Sequence, residues 1–247
     1  MFPLRQPRLA EGTETEQESS YLASASDLMI GLLFIFIVLV VVLALEQTRQ
    51  RDEIIKAGDP RGQVTTSIGM PVQKELPTVE INPSTGVISL PEEVLFDLAS
   101  AELKPTGRIA LHGAMTALAK SLPCYVANRR RMVECKTNSA GHEIETIFIE
   151  GHTDNLPLRR ANYDNVDLSL DRARAVYGAL VDGTLLSEYR NHYGQPLFSL
   201  SAYGETRPRP GMDPSHPRNR RVDLRIVLSY RPPAELLGKQ DQSHGER

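Results

Sequence analysis

The chain has 247 residues, with 28 Lys and Arg against 31 Asp and Glu, so its formal net charge is −3 and nucleic acid is excluded as the main partner. Six histidines without an H-E-x-x-H pairing and two cysteines, Cys124 and Cys135, without a C-x-x-C motif supply no metal-ligand set, and no resident metal or cofactor is expected. The length leaves room for one membrane-spanning helix and one globular domain.

Residues 1–20 carry Arg5 and Arg8 and then Glu11, Glu14, Glu16 and Glu18, with little to bury, and read as a disordered, mostly acidic tail. Tyr21 to Leu45 follows as an apolar run whose single charge is Asp27. At about 1.5 Å per residue the run measures roughly 37 Å, enough to span a bilayer with some tilt, and Asp27 lies about 9 Å inside one end. An ionised carboxylate there costs at least ~2.5 kcal/mol, so it calls for a partner, a wet path or a bundle interior. Ser20, Ser24, Asp27 and Gly31 follow a 4-3-4 spacing and share one helical face, as packing against other membrane helices requires. The plainer alternative sets Asp27 at the headgroup boundary, complementing the dipole at the start of the helix. A cleaved signal peptide fits poorly, because the run is long, the tail is acidic and Ala44-Leu45-Glu46 is not a small-x-small site.

Residues 46–78 contain Gly58, Gly62, Gly69, Pro60, Pro71 and Pro77 and read as a linker, with a short helix over Glu46 to Lys56. The globular domain is expected over residues 79–230, followed by a disordered tail over 231–247. Asn82 to Gly86 is turn chemistry between Val79–Ile81 and Val87–Leu90, hence a hairpin. Val94 to Phe96 is a third short apolar segment. Pro105 opens a helix whose stripe is Ile109, Leu111, Met115, Leu118, Ala119 and Leu122. After an Arg129-Arg130-Arg131 excursion flanked by the cysteines, Ile144 to Glu150 is the clearest strand. A helix over Leu168 to Leu180 and strands over Leu197 to Tyr203 and Val222 to Leu228 give β-α-β-α-β, an α+β domain with helices on one face of a sheet.

Polar residues break this pattern at three junctions: Gly151-His152-Thr153-Asp154-Asn155, then Asn165 with Leu168-Ser169 and Arg172-Ala173, then Asn219-Arg220-Arg221-Val222. Together these resemble the OmpA-like peptidoglycan-binding domain over about Val79 to Tyr230. The resemblance implies that Asp154 and Arg172 grip the diaminopimelate unit of the wall peptide, with Thr153, Asn165, Asn219 and Arg220 around them. The chemistry agrees independently, since a zwitterionic amino-acid terminus asks for a carboxylate and an arginine fork. Asn165 and Asn219 are read as holding loops more than touching ligand. The Asn155–Arg160 stretch is longer than the family pattern, and the Cys124–Cys135 excursion is not part of its core.

One membrane helix with an aspartate near its start, followed by such a domain, resembles the MotB-type stator subunits of ion-driven motors. Ser24-Ala25-Ser26 stands where flagellar members carry an aromatic and Tyr-Ala, there is no tryptophan, and the linker leaves little room for a plug segment. The resemblance therefore leans to the ZorB subunits of Zorya anti-phage systems. It implies that Asp27, helped by Ser24 and Ser26, carries the translocated H+ or Na+, and that two copies sit inside a multi-span ZorA- or MotA-like partner. It also implies a bacterial inner-membrane location with the N-terminus cytoplasmic and the domain periplasmic, where a Cys124–Cys135 disulfide becomes possible. A passive membrane-to-wall tether is the competing binding class. A wall hydrolase is disfavoured, because no nucleophile–base pair or metal set stands out, and the expectation is a non-enzymatic protein.

Overall fold

The structure, a computed structural model, describes residues 14–56, 59–158 and 160–229, without the side chains of residues 14–25 and 49–56. The expected C-terminal tail and residues 1–13 of the N-terminal one lie outside the described residues. The chain divides after Gly58 into two compact units.

The first unit is one helix, α1 (Glu14–Lys56). Its span Ser26–Thr48 contains an 18-residue window with a mean hydropathy of 3.4, and every described side chain on the span is exposed. A helix long and apolar enough to cross a membrane is therefore present. It starts earlier and ends later than the apolar run. Residues 14–20, expected as disordered, are helical, and Glu46 to Lys56 continues the same helix.

The second unit begins with a departure from the linker reading. Pro60–Glu75 forms helix α2, in which Val64, Ile68 and Val72 recur every fourth residue and are buried. Asp59 caps it by accepting from the Arg61 N–H, and Pro60 occupies the first turn, where a missing N–H costs nothing. Gly69 is needed because a β-carbon there would lie 2.9 Å from the Ile81 side chain. The globular unit thus starts near Asp59, about twenty residues before Val79.

Strands β1 (Glu80–Asn82) and β2 (Val87–Pro91) form the expected hairpin, closed by Gly86 at φ +75°. A single helical turn, α3 (Glu92–Leu95), leads to α4 (Pro105–Ser121). Leu111, Ala114, Ala117 and Leu118 of α4 are buried, while Ile109, expected on its apolar stripe, faces outward. Then come β3 (Ile144–His152), α5 (Asn165–Leu180), β4 (Phe198–Ala202) and β5 (Arg221–Leu228). The five strands order as β1-β2-β5-β3-β4, and β3 with β4, joined through α5, is the parallel pair. The fold is a mixed α/β domain preceded by one apolar helix, as the sequence indicates.

Register separates the two faces of the sheet. Ile88, Leu90, Ile147, Ile149, Val222 and Leu224 fill the core beneath α2, α4 and α5. On the other face Ser89, Glu150, His152, Arg221 and Asp223 form a buried polar layer, with Arg225 half-buried beside them. Tyr203 stacks on His152 and the main chain of Arg207 receives Arg221, so the chain after β4 closes over this layer.

The Cys124–Cys135 excursion is tied down at several points. The two cysteines are joined by a disulfide with a Cα–Cα distance of 5.3 Å. Arg129 pairs with Glu188, Arg130 pairs with Glu143 and donates to the Gly141 carbonyl at 2.9 Å, and Asn138 bridges Cys124 and His142. Only Arg131 of the arginine triplet is exposed.

Candidate functional site

Four segments converge at one end of the sheet. Thr153 and Asp154 leave the end of β3, Arg220 enters β5 beside it, Glu92 follows β2, and Arg172 sits in the second turn of α5. A capping box starts α5, the Asp164 side chain accepting from the Asp167 N–H and the Asp167 side chain from the Asp164 N–H, which fixes where the helix begins and so where Arg172 sits.

The charged side chains form one chain of ion pairs. Asp154 Oδ2 accepts from Arg220 Nη1 at 2.6 Å, Arg220 Nε donates to one Glu92 oxygen, and Arg172 Nη2 donates to the other. Two carboxylates face two guanidinium groups, so the set is neutral as it stands. Arg172 is 1% exposed and Asp154 5%. Arg172 Nε donates to the Ser100 carbonyl at 2.8 Å, its guanidinium lies 5.4 Å from the Phe96 ring centroid, and its Nη1 is buried without a partner among the described residues. Burial pulls the Arg172 guanidinium below its ordinary value, with Glu92 opposing that shift. Burial works the same way on Arg220, but its bonds to Asp154 and Glu92 prevail and hold it above its usual value.

The remaining expected residues shape the surroundings. Asn165 donates its amide to the carbonyls of Asp154 at 3.3 Å and Leu156 at 3.2 Å. Asn219, fully buried, donates to Asp213 and Pro214 carbonyls and accepts from the Arg209 N–H at 2.8 Å. Thr153 donates its main-chain N–H to Gly204, while its hydroxyl is buried without a partner among the described residues. The long Asn155–Arg160 stretch, of which residue 159 is not described, lines a polar hollow of about 610 Å³ with Asn162, Tyr163 and Glu205. Glu92 and the Phe96–Leu103 loop were not singled out by the sequence. That loop holds Ala99 at φ +56°, a conformation uncommon for a residue with a side chain, and turns the Ser100 carbonyl onto Arg172.

Behind the site lies a second ionic cluster. His152, 1% exposed, has Nε2 at 3.4 Å from Asp223 Oδ2 and 3.9 Å from Glu150 Oε2. These three side chains have the donor types of a metal site, which the sequence reading did not anticipate. Arg225 grips both Glu150 oxygens at 2.9 Å and Arg221 Nε lies 2.9 Å from Asp223, so the carboxylates are already neutralised and a divalent ion would add uncompensated buried charge. Burial raises the Glu150 carboxyl, but the nearby His152 imidazole and the hydrogen bonds from Arg225 outweigh it and hold the group below its ordinary 4.5. Its stabilising contribution is therefore complete above the unfolded value and is lost as pH falls through the lowered one. Thermal melts of the protein should fall on acidification below about pH 4.5, and Glu150→Gln should reduce that dependence while lowering the melt at neutral pH. An unchanged acid limb would place the linkage elsewhere.

The sequence pattern of the OmpA family matches residues 95–221, just over half of the chain. The chain belongs to the OmpA family. Its matched span holds Asp154, Arg172 and Arg220, whereas Glu92 lies just before it. Similar solved structures include the cell-wall anchor of the T6SS from Pseudomonas aeruginosa, at 20% identity over 67% of this chain and 97% of that one, with a TM-score of 0.45. The periplasmic domain of Helicobacter pylori MotB, residues 90–256, is 20% identical over 65% of this chain and 85% of that one, at a TM-score of 0.42. A MotB-like protein from Desulfovibrio vulgaris is 22% identical over 74% and 97%, at 0.43. No curated relative matches the chain at a significant level. The family assignment rests on the matched OmpA pattern.

Proposed function

We propose that this OmpA-family protein is a membrane-anchored subunit that holds peptidoglycan through its Asp154–Arg172 site. The observation carrying the reading is the single ionic chain that brings Asp154, Arg220, Glu92 and Arg172 to one end of the sheet. A carboxylate and an arginine fork at one place match the ammonium and carboxylate of a diaminopimelate terminus. The family's use of these two motif positions supports the assignment. The detergent-solubilised full chain should co-sediment with purified sacculi and be released by free diaminopimelate; failure to co-sediment would overturn the wall-binding reading.

The membrane half of the proposal is an ion-driven motor subunit. Asp27 is exposed on a helix that carries no further charge from Leu28 to Leu45, and a tether has no use for it. A carboxylate whose charged form is disfavoured by desolvation takes up a proton from one side and releases it to the other, changing its attraction to the surrounding partner. That partner is a multi-span ZorA- or MotA-like protein, the protein is a homodimer within the hetero-oligomer, and the N-terminus is cytoplasmic in the bacterial inner membrane. Ser24 and Ser26 assist Asp27 with H+ or Na+ in this reading; Ser26 is exposed, and the side chain of Ser24 lies outside the described residues. We infer the ZorB-type defence role over flagellar motility. The Ser24-Ala25-Ser26 sequence supports it, as does the short stretch, residues 46–58, between the apolar run and the globular unit, which leaves little room for a plug segment.

Asp27→Asn keeps shape and polarity but removes the titrating charge. The variant is expected to insert in the membrane and assemble normally while losing phage protection in a host supplied with its neighbouring genes. Retained protection would contradict the ion-carrying role, and a parent chain that restores motility to a stator-deficient flagellated host without conferring protection would reverse the assignment between the two motors.

A further inference from the structure

We propose that a second hollow, on the Arg220 side of the ionic chain, is a subsite for another carboxylate of the wall peptide, with Arg209 and Arg218 as the groups that receive it. The inference rests on the wall-binding reading and extends that site along the peptide stem.

The hollow measures about 280 Å³. Its walls are Thr78 and Glu80 at β1, Pro91 to Glu93 where β2 turns into α3, and Arg209, Pro217, Arg218 and Arg220 ahead of and at the entry to β5. Arg220 joins it to the wall site, since it lines the hollow and donates from Nη1 to Asp154 at 2.6 Å. The volume suits a carboxylate with the chain carbons that bear it, and is small for a whole peptide.

Charge decides which group belongs there. Arg209 Nη1 and Arg218 Nη2 both donate to Glu80, so two guanidinium groups share one carboxylate and one positive charge is left over. In the ionic chain beside it two carboxylates meet two guanidinium groups, and nothing is left over. Glu93 also lines the hollow, but it is exposed and its side chain pairs with none of these arginines among the described residues, so water screens its charge.

The donors are positioned as well as charged. Arg209 is held by its Nε on the Arg218 carbonyl at 2.9 Å and its main-chain N–H on Asn219 at 2.8 Å, which leaves its Nη2 without a partner among the described residues. Arg218 has only Nη2 engaged, so its Nε and Nη1 are likewise unpartnered there. A carboxylate can therefore accept from both side chains without displacing Glu80, and its arrival brings the group to two charges of each sign. A diaminopimelate head held at Asp154 and Arg172 carries two such groups behind it, the α-carboxylate of the γ-linked D-Glu and its own proximal carboxylate.

The test titrates the detergent-solubilised full chain with the tripeptide L-Ala-γ-D-Glu-meso-diaminopimelate, with forms amidated at the D-Glu or at the proximal diaminopimelate carboxylate, and with the L-Lys counterpart, which lacks the distal carboxylate. Amidation at one of the two positions is expected to weaken binding by the parent on the order of fivefold, the scale of a partly exposed ion pair, and identifies which carboxylate enters. Arg218→Gln leaves Arg209 and Glu80 as a neutral pair, so it should bind the unmodified tripeptide about fivefold more weakly than the parent and lose the response to amidation, while still preferring diaminopimelate to lysine through Arg172. The Arg218 side chain is 54% exposed, and thermal melts establish that the variant is folded. Arg218→Lys keeps the charge without the fork and should restore part of the response. A parent that binds both amidated forms as well as the unmodified one, or an Arg218→Gln variant that responds to amidation as the parent does, would overturn the subsite and leave the wall site standing. If the parent binds none of the tripeptides, the wall-site reading itself fails, and this inference with it.

Discussion

Gly151→Ala is expected to destabilise the globular unit by about 3 kcal/mol or more, lowering its thermal midpoint by on the order of 10 °C. Gly151 lies on the core face of β3, where the main chain of α5 comes so close that an added β-carbon would sit 1.9 Å from the Ser169 carbonyl oxygen and 2.6 Å from its carbon. Both are backbone atoms, so no side-chain rotation relieves the clash and the strand must move off the helix. Ser169 is itself pinned, its hydroxyl donating to Val166 and accepting from the Gly204 N–H at 3.0 Å. Because Asp154 and Arg172 hang on these same two elements, the displacement should also open the ionic chain and weaken wall binding. Gly178→Ala provides the contrast. It lies exposed on α5, and an added β-carbon would meet only the Asp182 carboxylate at 3.9 Å, so helix propensity alone predicts a small gain. Circular-dichroism melts of the two variants check the pair, and equal melts would refute the close-approach explanation.

Arg172→Ala is expected to abolish sacculus binding and to destabilise the domain by about 3–5 kcal/mol, because it removes one partner of a buried pair and leaves a cavity beneath the Phe96–Leu103 loop. An exposed binding arginine would give the first effect without the second. Lysine at this position keeps the charge but not the fork, so Arg172→Lys should retain most of the stability and still lose most of the binding. Melts beside sacculus sedimentation separate the two contributions. If Arg172→Lys binds as the parent does, bidentate recognition is not what the arginine supplies.

Much of the fold can be read along the chain because its signals are local. The Asn82–Gly86 turn, the Pro105 helix start and the alternation in Ile144 to Glu150 each specify one element within a few residues. Helix α2 escaped because Pro60, Gly62, Gly69 and Pro71 read as breakers. Two of them serve the helix: Pro60 in its first turn, and Gly69 against Ile81. Pro71 lies inside it, where burial of Val64, Ile68 and Val72 outweighs the missing main-chain bond. The same holds for the site. Asp154, Arg172 and Arg220 announce themselves through contiguous motifs, whereas Glu92 meets Arg172 from 80 residues away and Arg220 from 128, with no motif of its own. The burial of Arg172 was equally hidden, since it depends on a loop folded over it and not on the helix that carries it.

The central claim, recognition of a zwitterionic wall peptide by Asp154 and Arg172, is tested most directly by calorimetric titration of the parent full chain with the diaminopimelate tripeptide and with its lysine counterpart. The account predicts saturable binding of the first, at least tenfold stronger than of the second, as expected for loss of one charge-assisted bond to Arg172. Equal affinity for the two peptides would contradict it.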